Sequence, residues 1–186
     1  MAIKMPLVLQ STKVILRSFA RKDITEEYIG WLNNPEITRY SNQRFLEHTA
    51  YTCERYLESI KLPSHFLKIM SSDGVAVGTS TIHVNAHHKT ADIGLLIGKN
   101  QRWGEGFGTE SVRLMIEYIK NDLDIRKITA GTLAINVGMR KVLFKNGMQE
   151  EAVRKGQELI EGRPTDMIHY CMFTDQIKEN KSTQRA

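Results

Sequence analysis

Apolar positions along the chain alternate between two periods, and the switches mark out the elements. Val14-Ile15-Leu16-Arg17 is a short β-type run. Ile24, Tyr28 and Trp31-Leu32 then recur at helical spacing, behind Asp23-Ile24-Thr25-Glu26, which reads as an N-cap at Asp23 with a glutamate three residues on. That helix stops at Asn33-Asn34-Pro35, and Thr49 caps a second one, Tyr51 to Ile60. Three β segments in hairpin sequence follow: His65 to Met70, Val77 to Val84 and Ala91 to Ile97. Val112, Met115, Ile116 and Ile119 form a helical stripe, predicting a helix from Gly106 to about Asn121. Lys127 to Leu133 is a strand, and Asn136 opens a helix that ends at Asn146-Gly147, a pair suited to a left-handed stop. Two β segments close the set, near Gln149 to Arg154 and Thr165 to Phe173.

This order predicts an α/β (α+β) fold with a mixed, mostly antiparallel central sheet of about six or seven strands and helices on both faces. It lacks the strict β-α alternation of a doubly wound nucleotide fold. Residues 1–177 are expected to form one domain, with a polar, disordered tail over 178–186.

Composition narrows the function classes only a little. The 186 residues, 41% hydrophobic and 25% charged, suit one soluble globular domain. Cys53 and Cys171 have neither the number nor the spacing of a disulfide framework or a zinc site, and read as reduced thiols. No leader opens the chain and no apolar run reaches membrane-spanning length, so a cytoplasmic location without membrane partners is expected. A net charge of +5 and a pI near 9.2 favour an anionic ligand. No basic cluster interleaved with aromatics appears, so nucleic acid is not an expected partner; a basic nucleic-acid-binding domain would rest on charge alone.

The chemically informative stretch runs from Ile93 through Trp103-Gly104-Glu105-Gly106-Phe107-Gly108 to Thr109-Glu110. A strand enters a turn with glycines at alternate positions, and a long amphipathic helix begins there. Without Cβ atoms, successive backbone N–H groups can converge on one anion, and the helix start adds its unpaired N–H groups and partial positive charge. A bare tight turn would need glycines too. A dinucleotide fold wants a third glycine where Thr109 stands and an acid after the next strand, where the chain has Leu133-Ala134-Ile135; Asp124 precedes that strand. A pyrophosphate is the ligand such a turn serves best, and a coenzyme A pyrophosphate site is the third reading.

The turn, with Thr109-Glu110, resembles the phosphate motif Q/R-x-x-G-x-G/A of the GNAT superfamily of N-acetyltransferases, in the W-G-x-G-x-A/G-T-E form of its RimJ/RimL-type branch. Asn136-Val137-Gly138-Met139 through Lys145-Asn146-Gly147-Met148 resembles the helix bordering the pantetheine arm, and Leu16-Arg17, Asp23 and Trp31 to Ile37 resemble the branch's opening motif. The resemblance implies the GNAT acyl-CoA N-acyltransferase fold. It implies acetyl-CoA as co-substrate, held by Trp103, Gly104, Glu105, Gly106, Phe107, Gly108, Thr109, Asn136 and Lys145. A backbone N–H around Leu96 or Ile97, on a splayed strand, would meet the oxyanion. The reaction implied is direct attack by a primary amine in a ternary complex, the amine being a small molecule such as an amino sugar or polyamine, or a protein N-terminus. Many relatives pair as homodimers, and the same assembly is implied here.

The chain departs from the family at Met139, at Leu143 and, mildly, at Met148, where the family's final phenylalanine stands. Met139 stands where a serine is common, and Leu143 where many members carry the tyrosine that protonates the leaving thiolate. These departures motivate the alternative of a non-catalytic acyl-CoA-binding or regulatory module. An alkylammonium must lose a proton before it attacks. Asp92, His83 and a water chain are the candidate bases, and Tyr118 and Tyr170 the candidate acids. His83, His87 and His88 are poorly spaced for a metal, so none is expected. The loop from Arg39 to His48, with Arg39, Tyr40, Asn42 and Arg44, is the expected acceptor side.

Overall fold

The computed structural model describes residues 6–174, so the tail expected over 178–186 lies outside the described residues. The elements in order are β1 (Val8–Gln10), β2 (Val14–Ser18), α1 (Glu26–Asn33), α2 (Pro35–Thr38), α3 (Ala50–Ser59), β3 (His65–Ser71), β4 (Ala76–Asn85), β5 (Thr90–Ile97), α4 (Phe107–Asp122), β6 (Lys127–Leu133), α5 (Val137–Lys145), β7 (Gln149–Ile160) and β8 (Arg163–Phe173). The strands form one eight-stranded sheet in the order β1-β2-β3-β4-β5-β6-β8-β7. Every neighbouring pair is antiparallel except β5 and β6.

The mixed, mostly antiparallel sheet flanked by helices is as expected, with one strand more. The additional strand is β1, three residues long with no buried position, which leaves no alternation to read. The cap of α1 also differs: Thr25, not Asp23, accepts from the Tyr28 N–H at 3.3 Å. Asp23 is engaged elsewhere. Its buried carboxylate takes hydrogen bonds from both Arg17 guanidinium nitrogens (2.7 and 2.6 Å), Lys68 Nζ (3.0 Å) and the Ala20 N–H (2.9 Å). A charge-assisted cluster outcompetes a helix cap.

The sheet has two unequal faces. On one, the α4 stripe of Val112, Met115, Ile116 and Ile119 packs with Leu16, Ile69, Ile82, Ile128 and, from α5, Leu143. On the other, α1 and α3 cover a smaller cluster of Phe19, Tyr28, Trp31, Leu32, Cys53 and Phe66.

Candidate active site

The turn before α4 is built to leave backbone donors free. Gly104 and Gly106 have φ of +85° and +89°, a conformation that side-chain-bearing residues rarely hold. Gly106 is the helix N-cap and, lacking a side chain, offers no capping acceptor. The Trp103 and Glu105 N–H groups are used, donating to Asn100 and Arg102 carbonyls at 3.0 and 3.4 Å. Those of Gly104, Gly106, Phe107, Gly108 and Thr109 meet no acceptor among the described residues. Gly108 also serves packing. A Cβ there would stand 3.0 Å from Leu95 Cδ2 and 3.5 Å from Val142 Cγ2, so its absence lets α4 press onto β5. The Trp103 indole N–H donates to the Ile97 carbonyl at 2.9 Å, tying the turn to the end of β5.

Strands β5 and β6 pair only at Thr90–Lys127, Ala91–Ile128 and Asp92–Thr129, then part. The Gly98 N–H donates to Val77 on the β4 side. Backbone groups alternate along a strand, so those of Leu96 face β4 and those of Ile93, Leu95 and Ile97 face the gap. Of the two positions expected to serve an oxyanion, Ile97 has its amide on the open side, and Leu96 lines the cleft without presenting its amide to the gap.

A cleft of about 1050 Å³ runs through this gap. Its first half is lined by Trp103, Gly104, Gly106, Phe107, Gly108 and Thr109, with Asn136, Met139 and Lys145 of the α5 region opposite. Asn136 Oδ1 caps α5 by accepting the Met139 N–H (3.1 Å), which leaves the amide nitrogen to donate. Glu105 is absent from the lining; its carboxylate pairs with Arg102 at 3.0 Å. The second half lies under α1–α3, among Tyr28, Tyr40, Glu47, His48, Tyr56 and Thr81. Here the Asn33 side chain clasps the His48 backbone, accepting its N–H (2.9 Å) and donating to its carbonyl (2.8 Å). Arg44 reaches across to the Leu159 carbonyl at 3.3 Å, so the β7–β8 hairpin braces the loop from Arg39 to His48.

A row of unbonded amides, a splayed strand pair and a cleft lined by both coincide with a direct match. The sequence profile of the acetyltransferase (GNAT) domain matches residues 13–149. The chain belongs to the GNAT acetyltransferase family. Among curated GNAT relatives, it is 32% identical to the "probable N-acetyltransferase YjcK" of Bacillus subtilis over 100 residues, covering 53% of this chain and 55% of that protein. The chain thus aligns with only about half the length of that relative. It is 24% identical to the "uncharacterized N-acetyltransferase p20" of Bacillus licheniformis, over 89% of this chain and 95% of that one. Among solved GNAT structures, spermidine N-acetyltransferase from Vibrio cholerae, in complex with CoA and spermine, superposes with a TM-score of 0.78 at 18% identity, covering 89% of this chain and 98% of that one. The ribosomal L7/L12 acetyltransferase RimL, in complex with coenzyme A, gives 0.77 at 16%, covering 90% and 98%. Such identities show the shared fold.

Within this GNAT frame, Asp92 and His83 are cross-strand partners on the face that carries α1–α3, but neither lines the cleft. Each lies two residues, about 7 Å of strand rise, beyond a lining residue, Gly94 and Thr81. Asp92 accepts the Thr129 hydroxyl at 2.7 Å. Crowding by the sheet raises its pKa, against lowering by the Thr129 hydrogen bond and by His83 and His169 nearby. The two tyrosines lie elsewhere: Tyr118 is buried against His65 Nε2 at 3.1 Å, and Tyr170 donates to Glu150 beside α5. Leu143 is fully buried in the core. Among the described residues no His/Cys/Asp/Glu group is arranged to hold a metal, and no helix is long and apolar enough to cross a membrane.

Proposed function

We propose that this GNAT chain transfers acetyl from acetyl-CoA to a primary amine that enters through the α1–α3 end of the cleft. The observation that carries this is the row of unbonded N–H groups at Gly104, Gly106, Phe107, Gly108 and Thr109, opening on a cleft that is also lined by residues of α1–α3. Those amides would hold the diphosphate, with Trp103 fixing the turn. Asn136 and the gap-facing edge of β5 would pair with the pantetheine amides, and Lys145 would add positive charge at the same end. The Ile97 amide is the donor we assign to the oxyanion, with Leu96 walling the acceptor side.

In the reaction the amine lone pair attacks the thioester carbon, the C–S bond breaks, and the sulfur leaves as thiolate. Magnitudes decide which proton step needs help. An amine of pKa about 10 is neutral in only about one molecule in a thousand at pH 7, a cost near 4 kcal/mol. A thiol pKa lies near 8.5, so thiolate departure needs little assistance. A core leucine at position 143 is therefore compatible with catalysis, whereas a base is required. We assign that role to Asp92, supported by His83, reached from the cleft through water. A polyamine and a protein N-terminus both present the required amine. We place the enzyme in the cytoplasm and expect two copies to pair, which light scattering on the purified chain tests.

The decisive experiment is calorimetry with CoA and acetyl-CoA, followed by thiol release across a panel of amines. Micromolar coenzyme binding with turnover of at least one amine class is expected. Absence of heat with either coenzyme overturns the proposal; binding without thiol release from any amine reassigns the chain as an acyl-CoA-binding module.

A further inference from the structure

We propose that Lys13, on the turn between β1 and β2, is a positioning residue for the coenzyme cradle: its ammonium holds the Glu105 carbonyl and so keeps the Gly106 N–H aimed at the cleft. The inference rests on the coenzyme assignment above. In a trans peptide the C=O and the following N–H point in opposite directions. The Glu105–Gly106 peptide leads into a glycine with positive φ, so on its Gly106 side no Cβ resists rotation of its plane. Turned half over, that peptide would offer a diphosphate a carbonyl oxygen in place of an N–H. An anion site cannot tolerate that exchange.

Lys13 Nζ donates to the Glu105 carbonyl oxygen. The same nitrogen stands 3.8 Å from where a Cβ of Gly106 would lie and 5.2 Å from the Phe107 ring centre. Arg102 holds the other end of Glu105, its guanidinium 3.0 Å from the carboxylate and 4.4 Å from the Phe107 ring. Glu105 is thus fixed at both its carbonyl and its carboxylate, which explains why a residue inside the glycine motif does not face the cleft. Lys13 also offsets a nearby negative charge. Arg113 chiefly, with Ser11 and Lys13 contributing, holds the Glu110 carboxyl below its usual range, so Glu110 is ionised in the first turn of the helix. A carboxylate there would repel the diphosphate unless neutralised. The Lys13 side chain is exposed, so its hydrogen bond adds little to stability and its effect falls on the ligand.

The test uses the full chain with Lys13→Met, Lys13→Gln and Lys13→Arg, measuring CoA affinity by calorimetry and kinetics with acetyl-CoA. Lys13→Met and Lys13→Gln should raise the Kd for CoA and the KM for acetyl-CoA roughly tenfold, the usual worth of a charge-assisted hydrogen bond. The kcat and the KM for the amine should stay unchanged, and Lys13→Arg should restore binding to within about twofold. The deficit should persist at high salt, because a misoriented peptide is not screened. Wild-type affinity in both neutral variants overturns the inference. So does a deficit that salt abolishes, which would leave only bulk charge. A wild-type chain that fails to bind CoA refutes the coenzyme assignment itself, a separable result.

Discussion

The two halves of the cleft are made of different material. The coenzyme half is largely backbone: free N–H groups from five residues between 104 and 109 and the open edge of β5, contributed by one continuous stretch, with α5 opposite. It rests on the larger core beneath α4. The acceptor half is side chains, gathered from α1, α3 and the loop between them, over a small aromatic cluster in which Phe19 packs on Phe66 at 4.4 Å and on Tyr28 at 5.0 Å. Backbone recognition needs only glycines and a helix start, and any diphosphate-bearing coenzyme meets it. Side-chain recognition can be rewritten one residue at a time, so on the proposed function substrate choice would reside in the half beneath α1–α3.

The largest effect should come from removing the electrostatic prop of the acceptor half. Asp23, three residues before α1, is buried between Arg17 and Lys68. Burial alone would raise its pKa, but hydrogen bonds from Arg17, the Ala20 N–H and Lys68 outweigh it and hold the carboxyl far below the usual range. Asp23→Asn leaves two cations without their counter-charge and should cost about 3 kcal/mol, read from urea unfolding. Hydrogen exchange should show the loss first in α1 and α3, with α4 protected; equal loosening of both layers would break the comparison. The pH dependence follows from a depressed folded-state pKa. The stabilisation is full above the unfolded carboxyl value of about 3.9 and is lost as pH falls below it, so the melting temperature should be flat to about pH 5 and fall beneath pH 4.

Next in size is Gly106→Val. A β-branched residue at φ +89° must move the backbone, so CoA affinity should fall about a hundredfold. Calorimetry measures that loss, and an unchanged melting temperature keeps the result on the cradle. Undiminished CoA binding would mean that the diphosphate is held elsewhere.

How much of this was legible follows the same division. The turn could be read because its chemistry is local: alternate glycines, a following helix, and Asn136 capping α5 all lie within short windows. Seven of the eight strands fall on β segments bounded by local turn signals, and α4 carries its own stripe. Contacts between distant segments left no such trace. Lys13 meets a carbonyl 92 residues away, and nothing in Ser11-Thr12-Lys13 announces it. The Asp23 expectation failed because a good capping residue was taken by Arg17 of β2 and Lys68 of β3, which the fold brings to one carboxylate. Tyr118 and Tyr170 carry hydroxyls suited to acid chemistry, but the topology turns one into the core and the other beside α5.

Asp92→Asn tests the proton path between the two halves. A neutral amide cannot take the ammonium proton, so kcat/KM for the amine should fall roughly tenfold at pH 7 while CoA affinity holds. Because the sheet raises the Asp92 pKa, the wild-type acid limb should set in above the ordinary aspartate range and vanish in the variant. His83→Gln should move the same limb, since His83 helps to lower the Asp92 pKa and its loss lets that pKa rise further. A variant pair with wild-type profiles would shift the base to a group lining the cleft.

The smallest effect is the most informative about the substrate. Arg39 lines the acceptor half, its guanidinium 4.6 Å from the Tyr40 ring, and Glu36 and Glu47 line the same half with opposite charge. Exposed charges of this kind are worth up to about 1 kcal/mol, a threefold to fivefold change. An acceptor carrying a carboxylate near its amine should lose that much in KM on Arg39→Ala and nothing on Glu47→Gln. A polyamine should show the reverse, its distal ammonium meeting the glutamates and being repelled by the arginine. Glu36 is the weaker probe, because its carboxylate already accepts the Asn100 side chain at 2.8 Å. CoA affinity should be untouched in each variant, since these charges lie in the other half of the cleft. Measured on one amine of each kind, the two substitutions form a crossed pair whose sign, rather than size, identifies the acceptor class.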